Sequence, residues 1–285
     1  MEGACRADAR RATSSGSSCG EAHSRWRLDG LILRRSGGAW KPTVRLSSSG
    51  TLRAIHGVGP SGPIWTVGND GLAARFDGTK WTVLRTGVAQ DLYGVWVTAA
   101  DDVWAVGDAG TVVHWDGAAW TVIPTGITAR LTGIWGPPGG GDPIVVGGSR
   151  TVLRLTVAGP QPVLPTDLDA PLFDSPKAID GASADDLWIV DREAALHFDG
   201  AAWSVPDFGL TFGDALYDAW PAGDGFTYVL LHRAEGTFLA RRGPSGVGYL
   251  PLPLGGSIDG AGTTVWTLSY RSLYRYAHDP LAVFP

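Results

Sequence analysis

The chain has 285 residues, of which 44% are hydrophobic and 18% charged, a balance that supports a packed core and excludes a largely disordered protein. The net charge is −5 and no basic stripe is visible, which argues against nucleic-acid binding. No window holds the roughly 18 consecutive apolar residues that a membrane-spanning helix needs, so no membrane span is expected.

The N-terminal segment is the first element along the chain, and we expect residues 1–16 to form a disordered tail. It is positively charged but has no apolar stretch, so it is not a signal peptide as written. Cys5 and Cys19 either form a disulfide or remain two free thiols. Their spacing, with no matching His pair, is not a zinc pattern, and we expect neither a metal nor another cofactor.

A repeat of roughly forty residues follows the tail. Its clearest copy runs from Leu92 to Gly126, and near-copies run from Leu52 to Gly87 and from Ala178 to Val205. The copies share, with some substitutions, a Trp that opens a strand, a Val-Gly-x-x-Gly turn, a strand ending in x-Asp-Gly and a second Trp. The first of these positions, here called the anchor, recurs at spacings of 38 to 44 residues: Trp26, Trp65, Trp104, Ile144, Trp188, Tyr228 and Trp266.

Each unit of this repeat is predicted to contain four short strands. In the third unit we place them at Leu92–Val97, Val103–Gly107, Thr111–Trp115 and Ala119–Ile123. A small antiparallel sheet that is apolar on both faces needs a neighbour on each face, and radial stacking in a ring supplies both. We therefore predict an all-β fold, a seven-bladed β-propeller with four antiparallel strands per blade; six or eight blades is the alternative count.

The propeller is expected to be a single domain over residues 17–285. The first blade should supply its own opening strand near Ser17–Ala22, and the last should end with Leu281–Phe284, so that each is built from contiguous chain. The expected blade limits are 17–50, 51–91, 92–130, 131–171, 172–211, 212–255 and 256–285.

The run from Asp101 to Trp120 resembles the unit of bacterial propellers grouped as BNR-like or photosystem-assembly-factor-like repeat proteins. It departs from the Asp-box pattern, which has one residue between Asp and Gly, because Asp116 and Gly117 are adjacent here. The resemblance covers nearly the whole chain and implies the fold. Such propellers serve as adhesins, assembly factors, receptors and occasionally glycosidases, so it does not fix the function.

Several repeated residues are interpreted as structural. The Trp residues recur at the same phase in each well-preserved unit, which is typical of packing between blades. A basic residue six positions before the second Trp, His114 in the third unit and His197 in the fifth, is expected to bond the Asp of the x-Asp-Gly turn or a backbone carbonyl. The pairs Asp101–Asp102 and Asp185–Asp186 are interpreted as turn residues rather than catalytic carboxylates.

One pattern does not reduce to the repeat. In the turns between second and third strands, the early units carry small or acidic residues such as Asn69 and Asp108, whereas the later units carry bulky, mostly basic ones. This is either drift or a one-sided ligand patch around the mouth of the channel. If it is a patch, the candidate binding residues are Arg150, Arg192, Glu193, His232, Arg233, Tyr270 and Arg271.

These observations favour a non-catalytic binding or scaffold protein whose partner is a protein or an anionic ligand. We expect a bacterial monomer that is periplasmic, outer-membrane-associated or secreted. This location requires that the start is misassigned or trimmed, and the gene sequence upstream of Met1 tests it. The alternative is a glycoside hydrolase or lyase of the sialidase type with its site at the channel mouth, using residues such as Arg130, Glu193 and Tyr270. No catalytic residue is assigned.

Overall fold

A computed structural model provides the structure of the chain. It describes residues 24–26, 31–36, 39–46, 51–58, 62–156, 159–166, 168, 174–244, 246–252, 256–261, 264–268 and 273–277. The predicted tail, both cysteines, the predicted strands at Ser17–Ala22 and Leu281–Phe284, and the candidate binding residues Tyr270 and Arg271 lie outside these ranges. Within them, no helix has the length and apolar character needed to cross a membrane.

The described residues form seven antiparallel sheets, each built from strands that are consecutive in the chain. Five sheets have four strands, and the first and last have three. The strands, separated by sheet, are β1 (Ser24–Trp26), β2 (Leu31–Ser36) and β3 (Ala39–Arg45); β4 (Leu52–Gly57), β5 (Ile64–Gly68), β6 (Ala73–Phe76) and β7 (Trp81–Val83); β8 (Leu92–Ala99), β9 (Asp102–Gly107), β10 (Val112–Trp115) and β11 (Trp120–Val122); β12 (Leu131–Trp135), β13 (Ile144–Gly147), β14 (Thr151–Thr156) and β15 (Gly159–Pro162); β16 (Ala178–Ser183), β17 (Asp186–Val190), β18 (Ala195–Phe198) and β19 (Trp203–Ser204); β20 (Ala215–Pro221), β21 (Thr227–Arg233), β22 (Gly236–Gly243) and β23 (Gly246–Leu252); and β24 (Ser257–Ala261), β25 (Thr264–Leu268) and β26 (Leu273–Ala277).

The sheets are arranged side by side through their first strands. Each four-stranded sheet keeps its strands in chain order, and the first strands of successive sheets contact one another from β4 through β24. The first strands are therefore the inner ones, as in the blades of a propeller. The prediction of an all-β fold with four-stranded antiparallel sheets is confirmed, and the four strands predicted for the third unit lie within two residues of their observed bounds.

The Val-Gly-x-x-Gly turns join second strands to third strands through one turn of 3-10 helix, at Asn69–Gly71 and Asp108–Gly110. Asp70 and Gly71 have φ of 54° and 60°, and Ala109 in the third unit also has φ of 54°. A Cβ on Gly71 would lie 2.0 Å from the carbonyl oxygen of Val88. The second glycine is therefore required both by its left-handed backbone and by the close approach of the next link.

The anchor residues pack between sheets, as predicted. Trp65, Ile144, Trp188 and Tyr228 are buried. The Trp65 ring lies 5.3 Å from the rings of both Trp115 and Trp120, which belong to the next sheet. The packing assignment is therefore confirmed for these residues, whereas the side chains of the anchors Trp26 and Trp266 are outside the described set.

Trp104 and Trp120 are less buried than expected, since each is of intermediate exposure. In the second, third and fifth units the second Trp opens the outer strand, which is the edge strand of its sheet. It packs on the aromatic residue that ends the third strand, at 5.3–5.8 Å between ring centroids: Phe76 with Trp81, Trp115 with Trp120, and Phe198 with Trp203.

The prediction that His114 and His197 bond the Asp of the x-Asp-Gly turn or a backbone carbonyl is wrong. Nε2 of His114 bonds Asp102 at 2.8 Å, and that carboxylate also accepts the indole N–H of Trp104. His197 and Asp186 make the same arrangement in the fifth sheet, at 3.0 Å. The Asp of the x-Asp-Gly turn instead accepts backbone N–H groups of its own turn, as Asp116 does, which lowers its pKa. The antiparallel register decides this, because it places His114 opposite Trp104.

Sequence reasoning missed a belt of aromatic residues at the far end of the inner strands. His56 stacks on Trp96 at 4.1 Å, and Trp96 lies 6.0 Å from Trp135. Nδ1 of His56 accepts the N–H of Val97 at 2.7 Å, and burial lowers the pKa of His56 to about 3. His56 is therefore a neutral packing residue between the second and third sheets.

Candidate functional site

One face of the propeller, here called the turn face, carries the turns between second and third strands together with the links that enter the inner strands. Backbone hydrogen bonds tie these two sets of loops together. Gly71 N–H donates to Gln90 at 2.9 Å, Arg150 N–H donates to Asp174 at 2.8 Å, and Leu216 N–H donates to the carbonyl of Arg192 at 2.8 Å. Side chains from these loops and from the start of each inner strand therefore lie at the same face.

Inner strands carry a repeated β-bulge where they leave this face. Near this face the register shifts at one residue in β4, β8, β12 and β20, and the residues left unpaired there are Arg53, Tyr93, Thr132 and Tyr217. A bulge bends the strand and redirects its side chain. The same β-bulge thus places an arginine, a threonine and two tyrosines at equivalent positions of the turn face.

Around Tyr93, the turn face is closed by a cluster of paired charges, here called the Tyr93 cluster: Arg53, Asp91, Tyr93, Asp108 and Arg130. The guanidiniums of Arg53 and Arg130 each lie 4.7 Å from the centre of the Tyr93 ring. Arg53 bonds Asp91 at 3.0 Å, Arg130 bonds Asp108, and the Tyr93 hydroxyl donates to Asp108 at 3.1 Å. Only 7% of Tyr93 is exposed.

The arginines and carboxylates of the Tyr93 cluster pair with each other. Burial raises the pKa of the Tyr93 hydroxyl, and its hydrogen bond to Asp108 acts in the same direction. The Asp108 carboxylate raises the pKa of Arg130. The carboxylates of Asp91 and Asp108 are therefore neutralised by Arg53 of the second sheet and by Arg130, which directly precedes the fourth sheet.

The predicted binding residues of the fourth and fifth units lie at the tips of their turns. Arg150, Arg192 and Glu193 are all exposed. Arg192 is positioned by buried Asp191, whose carboxylate accepts the N–H groups of Asp174, Ser175 and Arg192. This carboxylate fixes the turn of the fifth sheet against the preceding link, so that Arg192 is presented from a rigid backbone.

In the sixth unit, His232 and Arg233 were both predicted to be binding residues, but their exposure differs. His232 is exposed, whereas Arg233 is half-buried and faces inward. Arg233 lies 4.3 Å from the centre of the Tyr249 ring, donates to the carbonyl of Gly209 at 3.2 Å and forms an ion pair with Asp214 at 3.4 Å between Nε and Oδ2. That pair is not an aligned hydrogen bond. Arg233 therefore supports the loops of its own sheet rather than presenting a free guanidinium.

An arginine cluster of the sialidase type gains no support from these contacts. Arg130 is engaged in the Tyr93 cluster and Arg233 in the sixth sheet, each with its own carboxylate and aromatic ring. Within the described parts of the chain, no group of three or more His, Cys, Asp or Glu side chains is arranged to hold a metal.

Comparison with known proteins shows which solved structures share this fold. No protein-family model and no curated protein matches the chain. The chain is similar to a structure of YCF48 bound to a D1 peptide, with 12% identity, 93% of this chain and 92% of that chain covered, and a TM-score of 0.69. It is also similar to a chain of the mitotic checkpoint complex, with 11% identity, coverage of 89% and 83%, and a TM-score of 0.72.

A third neighbour is the extracellular domain of the putative one component system BT4673 from B. thetaiotaomicron. It is 9% identical, with a TM-score of 0.65, and the match covers 89% of this chain but 38% of that one. The chain is a β-propeller. Identities this low show the fold alone, so the predicted resemblance to propeller repeat proteins is confirmed at that level.

Two features of the turn face were missed by sequence reasoning. The Tyr93 cluster joins residues up to 77 positions apart, from Arg53 to Arg130, and no local pattern connects them. Phe212 and Tyr217 are exposed on the sixth unit, yet Tyr217 occupies the same repeat position as Tyr93. The signal available for Phe212 is the length of the link between the fifth and sixth units, which exceeds the corresponding links of the second and third units.

Proposed function

We propose that this protein is a non-catalytic, seven-bladed propeller that binds a protein partner on its turn face. The seven consecutive sheets and the succession of inner strands from β4 to β24 support the blade count and a domain over 17–285. In the first sheet the described strands correspond to second, third and outer strands, and in the seventh to inner, second and third strands. Completion of both from adjacent chain would close the ring.

The observation that carries the binding proposal is the exposure of two arginine side chains at turn tips on one part of the turn face. The Tyr93 cluster, by contrast, surrounds a tyrosine of which only 7% is exposed. In the fourth and fifth units Arg150 and Arg192 project from turn tips and are exposed. Forked guanidinium donors suit carboxylates, so the partner should be an acidic protein segment.

The proposed surface includes exposed His232 and Glu193, and on the basis of the sequence repeat we extend it to Tyr270 and Arg271 of the seventh unit. Arg233 is assigned a supporting part, because it is tied to Asp214 and Tyr249. The neighbour YCF48, with a D1 peptide bound, is an example of this fold engaging a peptide. We propose that the protein is extracytoplasmic, monomeric and bacterial; the extracellular neighbour supports the extracytoplasmic location.

A charge reversal tests the surface. The purified protein, immobilised, would capture partners from an extract of the source organism, and the retained proteins would be quantified for the parent, for Arg150→Glu with Arg192→Glu, and for Lys80→Glu with Arg85→Glu. The control pair makes the same change in net charge on exposed residues flanking the outer strand of the second sheet. We expect a partner that the parent and control retain, that the Arg150/Arg192 variant loses, and that salt releases.

Equal retention by both double variants would reject the turn face of the fourth and fifth units as the binding surface. Separate fractionation of the native host, with detection of the full-length protein, tests the location: a protein found entirely in the cytoplasm contradicts the extracytoplasmic proposal.

A further inference from the structure

Phe212 is an insertion into the repeat. Four residues separate Gly87 from Leu92 and Gly126 from Leu131, whereas six separate Gly209 from Leu216. The residues after these glycines, Val88, Ile127 and Leu210, all pack against core clusters, so the register is the same up to that point. The two additional residues therefore lie between Leu210 and Leu216, and Phe212 is at the tip of the loop that they create.

The loop that carries Phe212 is a fixed turn. Buried Asp214 accepts the N–H of Thr211 at 2.9 Å and its hydroxyl at 3.2 Å, while Asp214 N–H donates to the Thr211 carbonyl at 3.0 Å. The same carboxylate pairs with Arg233, and Gly213 supplies the positive φ of 94° that the turn needs. Phe212 itself is fully exposed. The buried carboxylate of Asp214 thus fixes a turn that exposes a large apolar side chain to water.

Tyr217 lies at the start of the inner strand that follows this turn. It is the bulge residue of β20, as Tyr93 is of β8, but 43% of it is exposed against 7% for Tyr93. Its ring meets the exposed His232 edge-on, at 6.4 Å and 87°. The N–H of the preceding residue, Leu216, donates to the backbone carbonyl of Arg192, which brings the turn that carries this exposed arginine to the start of the strand that carries Tyr217.

We propose that Phe212, Tyr217 and His232, with Arg192 at their edge, form a docking site for an extended peptide segment carrying an aromatic or large aliphatic side chain next to a carboxylate. This inference rests on the proposed function, because it names the partner chemistry for the same face. The two rings and the imidazole supply apolar contact at low entropic cost, and Arg192 supplies a forked donor for the carboxylate.

The balance of charge decides how the peptide is held. Glu193 and Glu235 are exposed near Arg192 and His232, so this part of the face has no strong positive excess. The apolar contact should therefore provide most of the affinity, and the carboxylate should orient the peptide on Arg192. Raised salt should weaken binding, as for the partner expected under the proposed function, because it screens the contact between Arg192 and the carboxylate.

The experiment uses a defined probe. Random linear 12-residue peptides displayed on phage would be selected against the full chain, and the best sequence would be synthesised with a fluorescent label for anisotropy titration. Three variants would be compared with the parent: Phe212→Ala with Tyr217→Ala, Arg150→Glu with Arg192→Glu, and Val122→Ala. Val122 is an exposed apolar residue on the outer strand of the third sheet and serves as the matched control. Thermal unfolding of each variant confirms that it is folded.

We expect enrichment of peptides that pair an aromatic or leucine residue with Asp or Glu. The affinity should fall about tenfold or more in the Phe212/Tyr217 variant and remain unchanged in the Val122 variant. Replacing the apolar residue of the peptide by Ser should weaken binding more than replacing its Glu by Gln.

Other outcomes separate this inference from the proposed function. Loss of binding in the Arg150/Arg192 variant alone would overturn the aromatic docking site while supporting the turn face. Equal binding by the parent and both double variants would overturn both. Failure to enrich any peptide would overturn the docking site, and the partner capture described above would then test the turn face independently.

Discussion

Tyr93 and Tyr217 occupy equivalent bulges in the inner strands of the third and sixth sheets, but their surroundings differ. Arg53 and Arg130 cover Tyr93 from the flanking sheets, and Asp108 accepts its hydroxyl. Tyr217 meets His232 edge-on and stays exposed, beside a turn that displays Phe212. The repeat therefore places the side chain, and residues of the neighbouring sheets decide whether it is part of the framework or available to a partner.

The third and sixth sheets differ at the turn face, and we expect the cores between the sheets to be comparable. Substitution of buried anchor residues tests this expectation. Trp65 and Tyr228 are equivalent anchors of the second and sixth sheets, and both are buried. We expect Trp65→Ala and Tyr228→Ala to lower the free energy of unfolding by similar amounts, about 3–5 kcal/mol, because each leaves a large cavity. Urea denaturation measures both; a cost below about 1.5 kcal/mol for either would show that the two cores are not comparable.

The tyrosines themselves should behave in opposite ways. Tyr93→Ala removes a buried ring and leaves two guanidiniums without their aromatic partner, so we expect a loss of about 3 kcal/mol in the free energy of unfolding. Tyr217→Ala removes an exposed ring and should change it by less than about 0.5 kcal/mol. Equal losses in the same denaturation experiment would contradict the distinction between framework and available side chain.

The free energy of unfolding should also depend on pH through the buried residue His56. Burial lowers the pKa of His56 to about 3, from about 6.5 in the unfolded chain, so the unfolded state binds the extra proton first. The contribution is fully present above pH 6.5 and is lost as the pH falls toward 3, by about 2 kcal/mol between pH 6.5 and pH 5. His56→Phe, which cannot be protonated, should reduce this pH dependence.

The matched control for that measurement is His232→Phe, since His232 is exposed. The control should keep the parent's decline in unfolding free energy between pH 6.5 and pH 5. If His56→Phe also keeps the full decline, His56 is not the group that binds the proton.

The smallest effect concerns the arginines. Arg130 bonds Asp108 and covers Tyr93, but about half of its side chain is exposed, so Arg130→Ala should cost only about 0.5–1 kcal/mol. Arg192→Ala should leave the free energy of unfolding unchanged within error. Thermal unfolding at low and high salt checks both; a larger cost for Arg192 would assign it to the framework.

Much of the fold follows from local pattern. The anchors, the Val-Gly-x-x-Gly turns and the alternation of short apolar runs predict the strands of the third unit to within two residues. The pairing of His114 with Asp102 could not be predicted with the same assurance, because the nearer Asp116 is an equally suitable acceptor in sequence. Strand register places His114 opposite Trp104 and thus beside Asp102.

By itself, the sequence determined the repeat, the sheet class and the turns that carry candidate binding residues, because these depend on spacings within one unit. Only the tertiary structure decided which of those side chains are engaged. Arg233 and Arg192 are both arginines in second-to-third-strand turns, yet Arg233 is tied to Asp214 and Arg192 is exposed. Pairing, burial and stacking depend on side chains that meet across neighbouring sheets and links, and such contacts leave no periodic signal in the sequence.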